Sequence, residues 1–305
     1  MNRTLARTVE QQGWRHKSVR ALIRAEGGGD PQVIIRSKSK RLVEWAKGMG
    51  WSGPPYDPLE LASLRGIRSR ESINLFSAEA QLTPMDGKQL LLEFNPSRGS
   101  GRKNYSISHE LVHTLFEDCF EMVHCRKSNP VTFDPEHELE LLCQIGAAEI
   151  LMPEEDFASD LSEIDYSLSS ALELSQRYDA SREAAARRML SLGGRKAALV
   201  FLSRRLKPSE MKDEISSGES APVPKMRILY VVPANGFPVF LPEHKSVPDD
   251  SCVNEVSNRD EISVGEESWD MPGFGLWAVE AMRLPTPPDS DASVPTVVAL
   301  IIPPY

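Results

Sequence analysis

The chain has 305 residues, 40% hydrophobic and 26% charged, with a formal net charge of −9. That is enough to bury the cores of one to three domains, and the composition excludes a disordered, fibrous or low-complexity chain. Cys119, Cys125, Cys143 and Cys252 have the spacing neither of a disulfide framework nor of a paired-cysteine zinc knuckle.

Charge is unevenly spread. Residues 1–47 hold eleven Lys/Arg against four Asp/Glu, whereas residues 223–305 hold five against twelve. The basic start reads either as a solvated helical face or as a contact for a polyanion such as nucleic acid. Arg3 and Arg7 are followed by no apolar run, and the most apolar stretch, Val294 to Ile302, is far too short to cross a bilayer. A cytoplasmic, reduced protein with no membrane contact is expected.

In chain order, residues 1–50 predict amphipathic helices broken at Gly27-Gly28-Gly29-Asp30-Pro31, the second carrying Leu42, Trp45, Ala46 and Met49 at helical spacing. Asp57-Pro58 opens a short helix, with Asp57 at the cap. Ile73 to Phe76 and Lys88 to Phe94 read as strands, with Met85-Asp86-Gly87 as the turn before the second. A helix is expected from near Ser106, and another from Pro135 to Met152, ended by Pro153. Residues 168–192 predict two helices around Tyr178-Asp179-Ala180-Ser181, a pattern shared by a helix-turn-helix and a plain helical hairpin. Leu206 to Pro224 is linker-like, and Met226 to Val232, Pro238 to Leu241, Gly275 to Met282 and Val294 to Ile302 read as strands. The expected class is α+β: an N-terminal helical segment (1–50), a mainly helical, zincin-like domain with a small sheet (51–205), a linker (206–224) and a smaller β-rich domain (225–305).

The chemistry concentrates at His109-Glu110-Leu111-Val112-His113. Two histidines four residues apart share one face of a helix and can bind one metal ion, with the intervening glutamate as a base for metal-bound water. Catalytic zinc takes three protein ligands and one open position. No glycine and third histidine follow in Thr114 to Cys119, so the metzincin arrangement is excluded. Glu136, Glu138, Glu140 and Glu149 on the following helix are the candidate third ligands.

Two motifs carry a family resemblance. Arg102-Lys103-Asn104-Tyr105-Ser106-Ile107-Ser108-His109-Glu110-Leu111-Val112-His113 resembles the R-x-R-F-T-x-A-H-E-x-G-H segment of the ImmA/IrrE metallopeptidases, and Ala147-Ala148-Glu149-Ile150-Leu151-Met152-Pro153 is similar to their F-A-A-E-L-L-M-P. Gly146 stands at the phenylalanine position, and the family's metal-binding glutamate six residues earlier then falls on Glu140. Val112 replaces the usual glycine, Asn104 the second arginine, Ser108 an alanine and Cys143 the alanine after the ligand.

The resemblance implies one Zn²⁺ held by His109, His113 and Glu140, with Glu110 as the catalytic base. Arg102 or Tyr105 could contact the oxyanion or substrate, or simply pack. Leu90 to Phe94 is either an edge strand for an extended substrate or an interior one. Cys125, expected in a loop with basic neighbours, could fold back as a fourth, inhibitory metal ligand. Cys143, one turn after Glu140, is a second candidate for that role, or a buried core cysteine. The resemblance further implies an endopeptidase that cleaves a helix-turn-helix repressor to derepress a stress, defence or mobile-element operon. Single-stranded DNA would be an activator, and the C-terminal domain sits where some relatives carry a GAF-like sensor. The alternative is a non-catalytic DNA- or protein-binding regulator with a vestigial or structural metal site.

Overall fold

The computed structural model describes residues 13–73, 75, 78–120, 124–127, 136–213, 222–256, 261–285 and 295–304. The chain divides into two compact units, Met1–Phe157 with Leu174–Ser181, and Ala158–Glu173 with Arg182–Tyr305. No helix among the described residues is long and apolar enough to cross a membrane.

In the first unit, local capping chemistry sets the helix starts. Helix α1 (Lys17–Ala25) begins after His16, whose ring accepts from the Ser18 N–H. Helix α2 (Pro31–Gly48) has Asp30 at its cap, accepting from Gln32 N at 2.9 Å, with Pro31 in the first turn. Helix α3 (Pro58–Leu64) repeats the device: Asp57 accepts from Leu59 N at 2.8 Å. The Asp57 cap agrees with the sequence reading, which took Asp30 only as part of the break between two helices; both caps depend on neighbours only a few residues apart.

The sheet of this unit has strands β1 (Arg68–Glu71), β2 (Ala78–Met85), β3 (Gln89–Phe94) and β4 (His124–Lys127) in the order β1-β3-β2-β4. Only β1 and β3 run parallel. The β2–β3 hairpin closes at Met85 and Gln89, with Gly87 and Lys88 at positive φ, the backbone that the Met85-Asp86-Gly87 turn calls for. Strand β2 escaped sequence reading because Ala, Glu, Gln and Pro84 are poor strand formers. Its antiparallel pairing with β3 and β4 and the fully buried Ala80 and Leu82 declare it in the structure. The expected strand at Ile73 to Phe76 falls partly outside the described residues; Ile73 itself lies in an exposed bend.

Of the two alternatives for Leu90 to Phe94, the structure shows the interior strand, flanked by β1 and β2, so its backbone groups are already paired. Cys125 lies in strand β4, opposite Gln81, rather than in a loop; its side chain is outside what is described.

Helix α4 (Ser100–His113) packs across β2, β3 and β4 and against helix α5 (Glu136–Leu151), which also receives α1 and α2. It starts six residues earlier than the sequence predicts. Ser100 Oγ donates to Asp179 at 2.5 Å and Asn104 Nδ2 donates to the same carboxylate at 2.9 Å. A Cβ on Gly101 would come within 2.6 Å of the Ala180 carbonyl carbon, so only glycine allows this approach. These anchors lie 75 or more residues away in sequence and are invisible to local reading.

The second unit is built on strands β5 (Ala198–Arg205), β6 (Lys225–Pro233), β7 (Ile262–Glu267), β8 (Trp277–Arg283) and β9 (Val297–Ile302), in the order β6-β5-β9-β8-β7 with every neighbour antiparallel. Strand β5 lies within the 51–205 span expected for the zincin-like domain, yet it pairs centrally in this sheet. Its first six residues are all buried, and such a continuous apolar run cannot be told from a buried helix by periodicity. Pro238 to Leu241 forms no strand, while β7 was not expected. Helices α6 (Glu154–Ser162), α7 (Leu168–Arg177) and α8 (Arg182–Leu192) fill the stretch between α5 and β5. The turn joining α7 and α8 holds Asp179 at φ 44°. Trp269, Phe274 and Trp277 stack in succession, with centroids 5.1 and 4.5 Å apart, at the heart of the second core.

Candidate metal centre

Helix α4 is buried along its last eight residues, Ser106 to His113. Burial of His109, Glu110 and His113 to 1% exposure or less is unusual for ionisable groups and demands compensation from polar partners or an ion. The two imidazole centroids lie 5.3 Å apart with their planes tilted by 65°.

Helix α5 supplies the facing carboxylate. Glu140 Oε2 lies 3.0 Å from His109 Nε2, and its Oε1 lies 3.7 Å from His113 Nε2. The other carboxylates of this helix have different employment. Glu138 accepts from the backbone N–H groups of Arg15 and His16 at 2.7 and 2.8 Å. Glu136 pairs with His16 Nε2 at 3.3 Å. Glu149, buried, accepts from Glu154 N at 3.0 Å and so caps α6. Glu140 alone of the four candidates faces both histidines.

The far side of His113 meets a sulfur. Cys143 Sγ lies 3.6 Å from His113 Nδ1, and both residues are buried. Ligand atoms of His109, His113 and Cys143 all lie within 4.8 Å of one another, so this trio could also hold a metal ion. Cys143 meets the His113 ring at Nδ1 and Glu140 meets it on the Nε2 side, and only one nitrogen can serve a given ion. Burial pushes the Cys143 thiol well above its usual range, and the charges of Glu140 and Glu110 push the same way.

Arg102 and Tyr105, the expected oxyanion or substrate contacts, have other partners. Arg102 pairs with Glu79 on β2, a carboxylate whose side chain is 1% exposed and which also accepts from Ser106 Oγ at 3.0 Å. A buried carboxylate requires a cation far more than an exposed one does, and Arg102 meets that need. Tyr105 Oη donates to the Gln144 carbonyl at 3.3 Å. Cys119 is buried two turns beyond His113, and burial raises its thiol too, so it has the character of an inert core cysteine.

Sequence reasoning missed Glu79, because its strand went unrecognised. Cys143 was legible from spacing, following Glu140 by three residues, one helical turn, and so sharing its face; the structure shows it buried and brings it to His113.

Residues 70–190 match the family model Peptidase_M78, described as an IrrE N-terminal-like domain. Among solved structures, a chain described as a Mycobacterium tuberculosis transcriptional regulator is similar, with 14% identity and a TM-score of 0.53 over 88% of this chain and 76% of that one. At that identity the likeness speaks for the fold alone. No curated protein sequence matches the chain. The matched span runs from β1 to α8 and contains both histidines, Glu110, Glu140 and Cys143. Residues 70–190 thus resemble the IrrE N-terminal-like domain of the Peptidase_M78 family.

Proposed function

We propose that the chain is a zinc-dependent endopeptidase in which His109, His113 and Glu140 hold the ion and Glu110 is the catalytic base. The observation that carries this reading is Glu140 standing 3.0 and 3.7 Å from the Nε2 atoms of the two histidines. Two imidazoles and a carboxylate suit zinc, with a fourth position left for water. When bound, zinc lowers the pKa of its water towards about 7 and polarises a carbonyl.

The chain's own residues do the rest. Glu110, adjacent in sequence to His109 and buried in a water-poor setting, takes a proton from the attacking water on a carboxylate oxygen. It passes that proton to the departing amine nitrogen. The sheet edge at β4, beside α4, offers backbone groups to which an extended peptide can pair. Cys125 belongs to this edge strand, and its proposed inhibitory contact with the metal would place a thiolate in the water position.

The proposed substrate is a helix-turn-helix repressor, whose cleavage would derepress a stress, defence or mobile-element operon. Support is the family of residues 70–190, together with a fold shared with a protein described as a transcriptional regulator. A nucleic-acid activator is supported by a cavity of about 360 Å³ in the first unit, lined by Lys38, Arg41, Leu42, Trp45, Arg65 and Leu115. Three cations beside a partly exposed tryptophan combine phosphate attraction with a stacking surface. Lys38 and Arg41 share a carboxylate there, that of Glu26 at 3.0 and 3.7 Å. The second unit, with its separate aromatic core, is the proposed GAF-like sensor.

Glu110→Gln tests the reading. The variant is expected to keep stoichiometric zinc and lose cleavage of a helix-turn-helix repressor substrate by at least about a hundredfold. Cleavage that survives in the variant removes Glu110 from the role of base, whereas an unsubstituted protein that cleaves nothing, or takes up no zinc, favours the non-catalytic regulator.

A further inference from the structure

We propose that Cys143 is a positioning residue of the metal centre, its sulfur accepting from Nδ1–H of His113 so that Nε2 is held towards Glu140. This inference rests on the metal reading above and assigns a role to a residue that stands where the resembling family has alanine.

The geometry is a clasp. Glu140 and Cys143 lie one turn apart on α5, and one meets His113 Nε2 at 3.7 Å while the other meets Nδ1 at 3.6 Å. The two nitrogens of an imidazole point away from each other, so an ion shared with Glu140 and His109 must use Nε2. A neutral imidazole that gives Nε2 to a metal carries its proton on Nδ1, where it becomes a donor. The sulfur is then the acceptor that fixes tautomer and ring orientation.

Metal-bound histidines ordinarily donate this proton to a carboxylate, a carbonyl or water, and loss of such a partner weakens metal binding. Here a buried thiol fills that place. For Cys143 to be a ligand instead, His113 would have to present Nδ1 to the ion and withdraw Nε2 from Glu140. The approach of Glu140 Oε1 to Nε2 of His113 favours the first arrangement, because it turns that nitrogen towards the carboxylate that would share the ion.

The test uses the full chain loaded with zinc or cobalt(II). Cys143→Ala is expected to lower zinc affinity by about 10–100-fold, and Cys143→Ser to recover most of the loss, because a hydroxyl also accepts from Nδ1–H. The cobalt form of the unsubstituted protein is expected to lack a thiolate-to-metal charge-transfer band. Nitrogen NMR of His113 in the zinc form is expected to find the proton on Nδ1, a readout that needs no substitution.

A thiolate band that disappears in Cys143→Ser, or zinc on Nδ1 of His113, would overturn the proposal in favour of direct ligation. Affinity unchanged within about twofold in Cys143→Ala would reduce Cys143 to packing. A folded, unsubstituted chain that binds neither metal overturns this proposal together with the metal reading, an outcome distinct from the other two.

Discussion

The methyl groups of Val112 occupy the space that a side chain at position 146 would need. A Cβ added to Gly146 would lie 2.7 Å from both Cγ1 and Cγ2 of Val112, and 2.7 Å from Ser39 Oγ. The two departures from the family pattern, a larger residue on the histidine helix and a smaller one on the glutamate helix, thus compensate each other. They let α4 and α5 approach closely at the point where they share the candidate metal centre.

Gly146→Ala is therefore expected to destabilise the first unit by about 1–3 kcal/mol through overpacking. Adding Val112→Ala should recover part of that loss, giving a coupling energy above about 0.5 kcal/mol in a double-mutant cycle. Chemical denaturation of the four proteins measures it. Additive effects would mean that the helices separate rather than compress.

Among the carboxylates of α5, metal binding should depend on one. Glu140→Ala is expected to lower zinc affinity at least about a hundredfold, as loss of a third ligand does. Glu138→Gln should leave zinc affinity unchanged but loosen the chain before α1, whose N–H groups at Arg15 and His16 it binds. Equilibrium dialysis, together with hydrogen exchange at residues 15–18, separates the two effects.

Arg102 is expected to behave as a structural cation. Breaking a buried ion pair costs about 3–5 kcal/mol. Because the Arg102 side chain is 39% exposed, roughly 2 kcal/mol is expected for Arg102→Ala after solvent screening. The measurement is the denaturation midpoint. A raised KM with unchanged stability would instead return Arg102 to the substrate.

The second unit should lose stability in acid through Glu267. Burial alone would raise this carboxyl, but hydrogen bonds from Cys252, Ser251 and Trp269 outweigh it and hold the group below its ordinary value of 4.5. Cys252 N and Trp269 Nε1 donate at 2.6 and 2.7 Å. A lowered folded pKa stabilises the fold above the unfolded value, and the gain disappears as pH falls through the folded one. Unfolding followed between pH 6 and 3 is expected to show a steeper acid loss for the unsubstituted chain than for Glu267→Gln. Glu280, raised by burial, acts in the opposite sense in both proteins and cancels in the comparison.

Legibility in the sequence followed the range of the interactions. The cap at Asp57, the turn at Gly87 and the pair His109 and His113 are local, and were readable from spacing. Glu140 was singled out only through the family resemblance, because choosing among four carboxylates requires knowing what faces each. Strand β2 and its Glu79 were missed because weak strand formers are held there by neighbours far along the chain. Strand β5 was assigned to the wrong neighbourhood for the opposite reason: uniform burial erases the alternation by which a strand is recognised. Arg102 drew attention because it belongs to the motif, but its partner, Glu79, lay in the unrecognised strand.

The chain passes between its two units after Phe157, after Glu173 and again after Ser181. This interleaving bears on how the protein can be cut. A fragment ending at residue 205 would carry β5 without β6 or β9, leaving six consecutive buried residues with both ladder edges open. Such a strand invites association with other copies. Removing residues 158–205 altogether would delete Leu174–Ser181 and with it Asp179, which receives Ser100 and Asn104 at the start of the histidine helix. A fragment that keeps the first unit intact would therefore require grafting the 174–181 segment back, and a single stop codon cannot provide it.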